Sequence, residues 1–336
     1  MLKNNTIISI IICTYNRGQI LADTLVSYAK LKRPLETDIE LLIIDNNSND
    51  QTSDIVHQFM QEHSETHYIL EPKLGLSYAR NRGITEAKGD FIAFVDDDVF
   101  FSQQWLVQLE KTFRNPSVDC FGGKSIPVFN NGEPMWLTES IKLIYGSTNS
   151  GELEKEMIYP EHPFGLNMAF KKGVFSKVGN FNPRLGRVGG SLLSNEEADL
   201  FFRIDKAGLK TVYNPKAQLY HRIPDDRATP EWVLDRFYWQ GISEVAFNQI
   251  VHPVSRYSLL IKACKEIFTF VRLATGGNWN PRKAYWHFLS LPLSTKIKHQ
   301  ISFGKARQLI REAIRTDHSR DNQPCLYEDM KTSPRK

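Results

Sequence analysis

Four strongly apolar runs, each followed by a polar turn, occupy the first third of the chain. They cover residues 7–13, 39–44, 68–70 and 91–95, and segments with a helical apolar period lie between them. Runs of β-branched and aromatic residues indicate strands that are buried on both faces. Strands that alternate with helices in this way require a sheet with helices on both of its faces. We therefore predict an α/β fold with a mostly parallel, doubly wound central sheet.

Three consecutive carboxylates follow the fourth apolar run: Asp96, Asp97 and Asp98. Neighbouring carboxylates repel one another, so each resists ionisation unless a cation lies close by. Open α/β sheets bind ligands beyond the carboxyl ends of their strands, and Mg²⁺ or Mn²⁺ binds carboxylates together with phosphate oxygens. The three acids predict a divalent-metal site that holds a diphosphate. A solvated acidic turn is the alternative.

Charge is unevenly distributed along the chain, whose net charge is +4. Residues 250–336 contain 16 Lys/Arg and 6 Asp/Glu, a balance of +10, which leaves −6 for the rest. Because the cations are interleaved with apolar helix positions, residues 255–315 favour contact with an anionic membrane surface over binding of nucleic acid. The alternative is a basic helical cap that packs on the body.

Cysteine usage and hydropathy bear on location and domain organisation. The four cysteines are scattered without metal-ligand spacing, which favours a reducing compartment. Because no apolar window reaches 18 residues and run 7–13 is too short for a signal peptide, we predict a cytoplasmic protein without its own membrane span. The predicted domains are an α/β body over residues 1–230, a helical extension over 231–318 and a disordered tail over 319–336.

Polar residues at the strand ends are candidate ligand contacts. Thr14, Tyr15 and Asn16 follow the first strand and could meet a nucleobase, but an ordinary polar turn is the favoured explanation of this stretch taken alone. Asp45 ends the second strand, where it could accept from a base or ribose or form an Asx turn. Arg80 lies near the start of a helix, where a cation is unfavourable without an anionic partner. This position favours ligand contact for Arg80.

Two later segments offer a general base and a metal ligand. Ser194 and Glu197 fit the spacing of a helix capping box, but the same acidic turn could place a general base in the crevice. His221 ends a strand, and with Asp98 it would form the mixed oxygen and nitrogen ligand set that suits Mn²⁺. A purely structural histidine is the alternative.

Taken together, these motifs resemble a family 2 glycosyltransferase with the GT-A fold, in which the acids form an Asp-x-Asp motif. The resemblance is carried by SIIICTYNR, LLIIDNNSNDQT, LGLSYARNRGI, FIAFVDDDV, GLNMAFKK, SNEEADLFFR and LYHR. Each motif is weak alone, but their order between Thr6 and His221 is specific. The resemblance implies a Rossmann-like GT-A body and an enzyme that uses a nucleotide-diphosphate-sugar.

The same resemblance implies roles for individual residues. The implied nucleotide-sugar contacts are Thr14, Tyr15, Asn16, Arg17, Asp45, Asn47, Arg80, Asp96 and Asp97. Asp98 and His221 would bind Mg²⁺ or Mn²⁺. Glu197 stands where the family usually has an aspartate base, so its carboxylate reaches one methylene further. Gly165, Asn167 and Glu196 would lie on the acceptor side.

The resemblance also implies the reaction. It is an inverting transfer of one sugar to a hydroxyl of a glycan or lipid-linked acceptor, in cell-surface polysaccharide or glycolipid synthesis, with a UDP-sugar as the favoured donor. The Gln-x-x-Arg-Trp motif of processive synthases is missing, so a single transfer per binding event is expected. Two alternatives remain. One is a non-catalytic nucleotide-sugar-binding protein, because Glu196-Glu197 departs from the family's glutamate followed by an aspartate. The other is a nucleotidylyltransferase, although such enzymes usually have a glycine-rich, basic signature after the first strand, and residues 14–17 do not form one.

Overall fold

The structure is a computed structural model that describes residues 6–148, 150–276, 287 and 290–314. The chain forms two compact units, Met1–Pro183 with Glu196–Pro224, and Arg184–Asn195 with Asp225–Lys336. The second unit therefore takes in a segment that the sequence assigned to the body. The tail predicted over residues 319–336 lies outside the described residues.

A nine-stranded sheet forms the centre of the first unit. The strands are β1 (Thr6–Thr14), β2 (Thr37–Asp45), β3 (Thr66–Leu70), β4 (Phe91–Asp96), β5 (Val99–Phe101), β6 (Cys120–Phe129), β7 (Lys155–Met157), β8 (Asn167–Lys171) and β9 (Thr211–Ile223). Their order is β3-β2-β1-β4-β8-β6-β9-β5, with β7 paired to β9. Strands β1 to β4 pair in parallel, as do β6 and β9, whereas β8 is antiparallel to β4 and β6. The predicted parallel arrangement of the first four strands is confirmed.

Helices cover both faces of this sheet, as predicted. They are α1 (Gly18–Tyr28), α2 (Thr52–Met60), α3 (Leu76–Glu86), α4 (Trp105–Phe113), α5 (Glu139–Lys142), α6 (Gly173–Val178) and α7 (Glu196–Lys206), with a 3-10 turn at Leu143–Tyr145. Strand side chains alternate, so Ile10 and Ile12 of β1 join the core with α1, α2 and α4, whereas Ile11 joins the core with α3, α6 and α7. Burial on both faces explains the continuous apolar runs.

Strand β9 differs from its predicted form. The sequence indicates two strands, residues 210–213 and 218–221, but the structure has one strand with an irregularity. Gly123 of β6 pairs with Asn214, and the next residue, Lys124, pairs with Gln218. Three residues of β9 therefore bulge out opposite one peptide of β6, and the first of them is Pro215, which has no N–H to give to a ladder.

The second unit contains three long helices, α8 (Pro230–Val251), α9 (Arg256–Thr275) and α10 (Leu293–Ile314). The predicted C-terminal helices are thus confirmed. Helix α10 packs on both α8 and α9. A Cβ on Gly241 or Gly304 would run into the facing helix backbone, so α8 and α10 cross at close range because both positions are glycine. No helix in the described part of the chain has the length and apolar character that a membrane crossing requires.

Candidate active site

The loops after β1 and β2 are joined by hydrogen bonds at the carboxyl edge of the sheet. The Asn16 amide donates to Ser48 Oγ at 2.8 Å, and the Asn49 amide donates to Asn16 Oδ1 at 2.8 Å. Asn16 and Asn47 have positive φ values of 52° and 66°, a conformation that asparagine adopts more readily than most residues. Asn16 and Asn47 are exposed and Tyr15 is half-buried. These three predicted donor contacts therefore lie on one ordered edge.

Asp45 is almost fully buried below this edge. Its Oδ1 accepts from the Ser48 amide at 2.9 Å, and its Oδ2 accepts from the Tyr68 hydroxyl at 2.7 Å. The carboxylate is therefore occupied by the protein itself, and its bond to the Ser48 amide closes a local turn one residue longer than an Asx turn. Both carboxylate oxygens stabilise the loop that carries Asn47.

Asp97 and Asp98 point inward and share one cation. Arg17 contacts Asp97 Oδ1 at 2.5 Å and Asp98 Oδ2 at 2.7 Å, and Thr14 Oγ1 donates to Asp97 Oδ2 at 2.7 Å. Burial raises the pKa of Asp97 to about 6, although Arg17 opposes the shift. Asp96 is the more open of the three acids, with 39% of its side chain exposed. The predicted acidic turn is thus a buried, ion-paired cluster.

His221 lies against Asp98, as the resemblance implied. Its Nε2 is 3.3 Å from Asp98 Oδ1, and its Nδ1 is 2.6 Å from the Tyr145 carbonyl oxygen. Strands β5 and β9 fix this approach, since Val99 pairs with His221. Burial alone would lower the pKa of His221, but the Asp98 carboxylate raises it. For the Asp98 carboxyl, burial has the opposite effect and would raise the pKa, but His221 and Arg17 hold the pKa of Asp98 below its ordinary value.

This pair fits a divalent metal ion. A carbonyl oxygen only accepts, so Nδ1 carries the proton of the neutral ring and Nε2 faces the carboxylate. Nε2 and Oδ1 at 3.3 Å need a cation between them, either a proton or a metal ion. Ligating histidines commonly donate their other N–H to a carbonyl in this way. Among the residues that the structure describes, no group of three or more His, Cys, Asp or Glu side chains is arranged to hold a metal ion.

A second acidic cluster forms where α3 meets α7. Arg80 is 2% exposed, and its guanidinium lies 3.0 Å from Glu196 Oε1, 3.4 Å from Glu197 Oε1 and 3.8 Å from Asp96 Oδ1. Its ring partner is Phe181, at 5.2 Å. The anionic partners that the position of Arg80 requires are therefore carboxylates of the protein itself. Arg80 connects the donor-side acids to the predicted base.

The two glutamates differ in protonation. Burial, reinforced by repulsion from Glu197, raises the pKa of Glu196 to about 8. Burial acts in the same direction on Glu197, but Arg80 outweighs it and lowers the pKa of Glu197. Glu197 also has the more exposed side chain, 19% against 4% for Glu196. Glu197 is thus the ionised and accessible carboxylate of the pair.

This difference predicts a pH-dependent stability. The folded-state pKa of Glu196 lies above its ordinary value of 4.5, so the folded protein holds a proton that the unfolded chain has lost. Stability should fall as the pH rises from 4.5 to about 8. Glutamine at position 196 does not titrate, so Glu196→Gln should remove this loss of stability. The Tm of the variant minus the Tm of the wild type should therefore be larger at about pH 8 than at pH 4.5. Glu154→Gln, at an exposed position, is the control, and equal Tm differences at both ends would contradict the prediction.

The capping box at the start of α7 is not formed. The Ser194 amide donates to Ser243 Oγ at 3.0 Å, and the Glu197 carboxylate lies on Arg80. Asp199 and Arg203 form an ion pair one helical turn apart, with a nitrogen–oxygen distance of 2.7 Å. The role of Glu197 as a general base stays a prediction.

Asn167 does not face an acceptor. Its Oδ1 accepts from Trp105 Nε1 at 2.9 Å, and its Nδ2 donates to the carbonyl oxygens of Lys124 and Ala217 at 3.0 and 3.1 Å. These carbonyls belong to the irregular stretch between β6 and β9, where the ladder is interrupted and such groups need other partners. The assignment of Asn167 to the acceptor side is corrected to a structural one.

Gly165 lies directly against Glu197 and Arg80. A Cβ at this position would overlap Glu197 Oε1 and a guanidinium nitrogen of Arg80. The absence of a side chain therefore permits the contact between Arg80 and Glu197. Gly165 and Glu196, both predicted for the acceptor side, thus lie beside Glu197.

Tyr145 is the contact that the sequence did not suggest. It contributes a backbone carbonyl to His221, and any residue can do so, which leaves no signal in the sequence. Tyr145 lies in the long connection between Phe129 at the end of β6 and Lys155 at the start of β7. The length of this connection is the hint that the sequence offers, because long loops in compact domains tend to be functional.

The chain is similar to known proteins in sequence and in fold. The chain is 27% identical over 242 residues to the glucosyl-dolichyl phosphate glucuronosyltransferase of Haloferax volcanii, covering 70% of this chain and 76% of that protein. It is 27% identical over 243 residues to the succinoglycan biosynthesis protein ExoM of Rhizobium meliloti, covering 71% and 75%. A solved mannosyltransferase of Pyrobaculum calidifontis, in complex with GDP-Man and Mn²⁺, aligns with a TM-score of 0.60 at 14% identity over 93% of this chain and 89% of that one.

The fold comparison confirms the expected GT-A architecture. The family model described as "Glycosyl transferase family 2" matches residues 9–179, just over half of the chain. This span contains the acid cluster, Arg80 and Gly165. The chain therefore belongs to glycosyltransferase family 2.

Proposed function

We propose that this glycosyltransferase moves one sugar from a nucleotide-diphosphate-sugar to a hydroxyl acceptor and inverts the anomeric configuration. The observation that carries the proposal is the path from the acid cluster to the base. Asp96, next to the Asp97-Asp98 pair, lies 3.8 Å from Arg80, and Arg80 lies 3.4 Å from Glu197. A donor bound at the acids would therefore place its reacting carbon near a carboxylate on a rigid helix.

Asp98 and His221 would hold Mn²⁺ or Mg²⁺, with water and the donor diphosphate completing the shell. A bound ion would stabilise the charge that develops on the leaving diphosphate. The mixed ligand set favours Mn²⁺, and the mannosyltransferase of similar fold was solved with Mn²⁺ and GDP-Man. Arg17 offsets part of the charge of Asp97 and Asp98, and it would contact phosphate oxygens of the donor.

The nucleotide would lie along the edge formed by the β1 and β2 loops. Tyr15, Asn16 and Asn47 offer surface there, and Asp96 would accept from the ribose. Thr14, Asp45, Arg80 and Asp97 would act mainly by fixing the loops and acids that touch the donor. The proposed donor is a UDP-sugar, as the family resemblance implies.

Glu197 would act as the general base. It would accept the proton of the acceptor hydroxyl as that oxygen attacks the anomeric carbon from the face opposite the diphosphate, and this geometry inverts the configuration. Glu196 retains its proton near neutral pH because its pKa is about 8, so it can donate to Glu197 without competing as a base.

The acceptor is proposed to be a glycan or a lipid-linked sugar in the synthesis of a cell-surface polysaccharide or glycolipid. The names of the two relatives, one acting on a glucosyl-dolichyl phosphate and one in succinoglycan biosynthesis, support this class. We further propose a cytoplasmic enzyme in peripheral contact with the inner face of the membrane through residues 255–315, whose charge is basic.

Nucleotide release tests the function directly. The purified protein is incubated with UDP-, GDP- and dTDP-sugars in the presence of Mn²⁺, Mg²⁺ or EDTA. We expect release from one nucleotide class, lost in EDTA and restored by Mn²⁺. Metal-dependent binding without turnover would favour a non-catalytic binding protein, and release of pyrophosphate would favour a nucleotidylyltransferase. Silence together with no metal-dependent nucleotide binding would overturn the proposal.

Gly165→Ala is expected to lower the rate of nucleotide release by about tenfold or more, because a displaced catalytic group loses much of its effect. The added Cβ would push Arg80 and Glu197 apart. Gly173→Ala is the matched control, since a Cβ there meets nothing within 4 Å. A Gly165→Ala protein with the wild-type rate would contradict the role of this close approach.

A further inference from the structure

Helix α9 presents a continuous apolar stripe to solvent. Tyr257 is 75% exposed and Phe268 is 62% exposed, and Leu260, Ile261 and Ile267 are 43–47% exposed. The spacing of three and four residues places these side chains on one face of the helix. The exposed Cys264 lies at the middle of the same face. We call this set the α9 stripe.

The other face of α9 is what attaches the helix to its unit. Leu259 and Ala263 are 1% and 2% exposed and pack with Val245, Leu309 and Ala313. Glu266, the one acidic residue of α9, accepts from Ser302 Oγ of α10 at 2.9 Å. The helix is therefore already anchored in the bundle, and the stripe is surplus to the folding of this unit. Such stretches of exposed apolar surface usually mark an interaction site.

Cations border the stripe. Lys265 follows Cys264 of the stripe by one residue and Arg272 follows Phe268 by four, which places both cations along one side of the stripe, and Arg256 precedes Tyr257 on the other side. All three are exposed, as is Lys262. Within the described residues, Lys262, Lys265 and Arg272 have no carboxylate within salt-bridge distance. Long cationic side chains beside an apolar face can extend to phosphate groups while the face enters the lipid boundary.

The charge pattern decides between partners. A second copy of the same surface would bring like charges together, whereas an anionic lipid surface would attract them. The helix also carries four cations and Glu266 over its 20 residues, too many charges for a helix that spans a bilayer.

We infer that α9 lies in the plane of an anionic membrane surface, with the α9 stripe inserted into the boundary between headgroups and acyl chains. This inference deepens the proposed function, on which it rests, because a lipid-linked acceptor would be found at that surface. It also makes the proposed membrane contact of residues 255–315 more specific. The α9 stripe would enter the membrane, and the other cations of the region would strengthen the electrostatic attraction to anionic lipid.

Vesicle flotation of the full chain tests the inference without any need for turnover. Phosphatidylcholine vesicles are compared with vesicles that also contain phosphatidylglycerol. We expect binding to the anionic vesicles, weakened by salt. Ile261→Ser/Phe268→Ser should weaken binding by about tenfold or more, and Lys265→Glu/Arg272→Glu should remove the preference for anionic lipid.

The controls are Leu153→Ser and Lys177→Glu, at exposed positions of the first unit, and both should bind like the wild type. Circular dichroism checks that the stripe variants are folded, and their release of nucleotide should match that of the wild type. No binding of the wild type to anionic vesicles, or wild-type binding by the stripe variants, would overturn the inference. So would a dimer in sedimentation that Phe268→Ser dissociates, since the stripe would then be covered by a second copy. A failed donor panel with intact flotation would instead count against the proposed function alone.

Discussion

Glu197→Gln is expected to lower the rate of sugar transfer by about a hundredfold or more, because a positioned general base typically contributes a factor of about 10² to 10⁴. Glutamine has nearly the shape of glutamate and can keep a hydrogen-bonded place in the cluster, but it cannot take a proton from an acceptor hydroxyl. Nucleotide affinity should change little, since Glu197 contacts Arg80 rather than the predicted nucleotide edge. The measurement is the initial rate beside the Kd of the metal–nucleotide complex.

Glu196→Gln is the matched control for this prediction. Glu196 retains its proton near neutral pH because its pKa is about 8, so glutamine reproduces its neutral form. The rate of this variant should stay within a few-fold of wild type. The opposite ranking, with Glu196→Gln inactive and Glu197→Gln active, would exchange the roles of the two residues. Equal damage in both would mean that the pair acts as one unit.

Asp98→Ala is expected to lower metal-dependent nucleotide release by about a thousandfold, because a bound metal ion contributes several kcal/mol of charge stabilisation at the leaving group. The substitution removes one of the two side chains, Asp98 and His221, that are proposed as metal ligands. His221→Ala should act in the same direction and raise the Mn²⁺ concentration needed for half-maximal rate by at least about tenfold. Mn²⁺ binding, followed by calorimetry in the presence of nucleotide, provides a readout that is independent of turnover.

Asp23→Asn is the control for these two variants. Asp23 forms a 2.6 Å ion pair with Arg222, the neighbour of His221 in the chain, but does not face the metal position. Its loss should leave Mn²⁺ affinity unchanged. Wild-type Mn²⁺ dependence in Asp98→Ala would show that the metal ligands are not the ones proposed.

The features that the sequence predicted correctly are those that local pattern determines. The apolar runs of β1, β2 and β4 could hardly be anything but doubly buried strands, and their polar ends had to meet at one edge of a parallel sheet. The acids at the end of β4 needed a cation, and the structure supplies Arg17. The approach of His221 to Asp98 followed from the family pattern, although β9 continues beyond His221 to Ile223.

The features that escaped prediction depend on partners distant in the chain. Arg80 and Glu196 are 116 residues apart, so nothing near Arg80 reveals that its anions belong to the protein. Asn167 lies in a motif that suggests an acceptor, yet its hydrogen bonds go to Trp105 and two strands that only the fold brings together. Asp45 could equally have met a ligand or its own turn, and local sequence cannot weigh the Tyr68 hydroxyl that it also contacts.

The bulge in β9 determines which residues in the later part of the strand face Asp98. Val212 before the bulge and Leu219 after it join the same core cluster, although they are an odd number of positions apart and would lie on opposite faces of an uninterrupted strand. The odd number of extra residues inverts the alternation, so that His221, two positions beyond Leu219, meets Asp98. Inserting or deleting a single residue between Asn214 and Gln218 would offer Tyr220 or Arg222 in its place. The number of residues between Asn214 and Gln218, more than the identity of their side chains, thus determines which residue faces Asp98 at the proposed metal position.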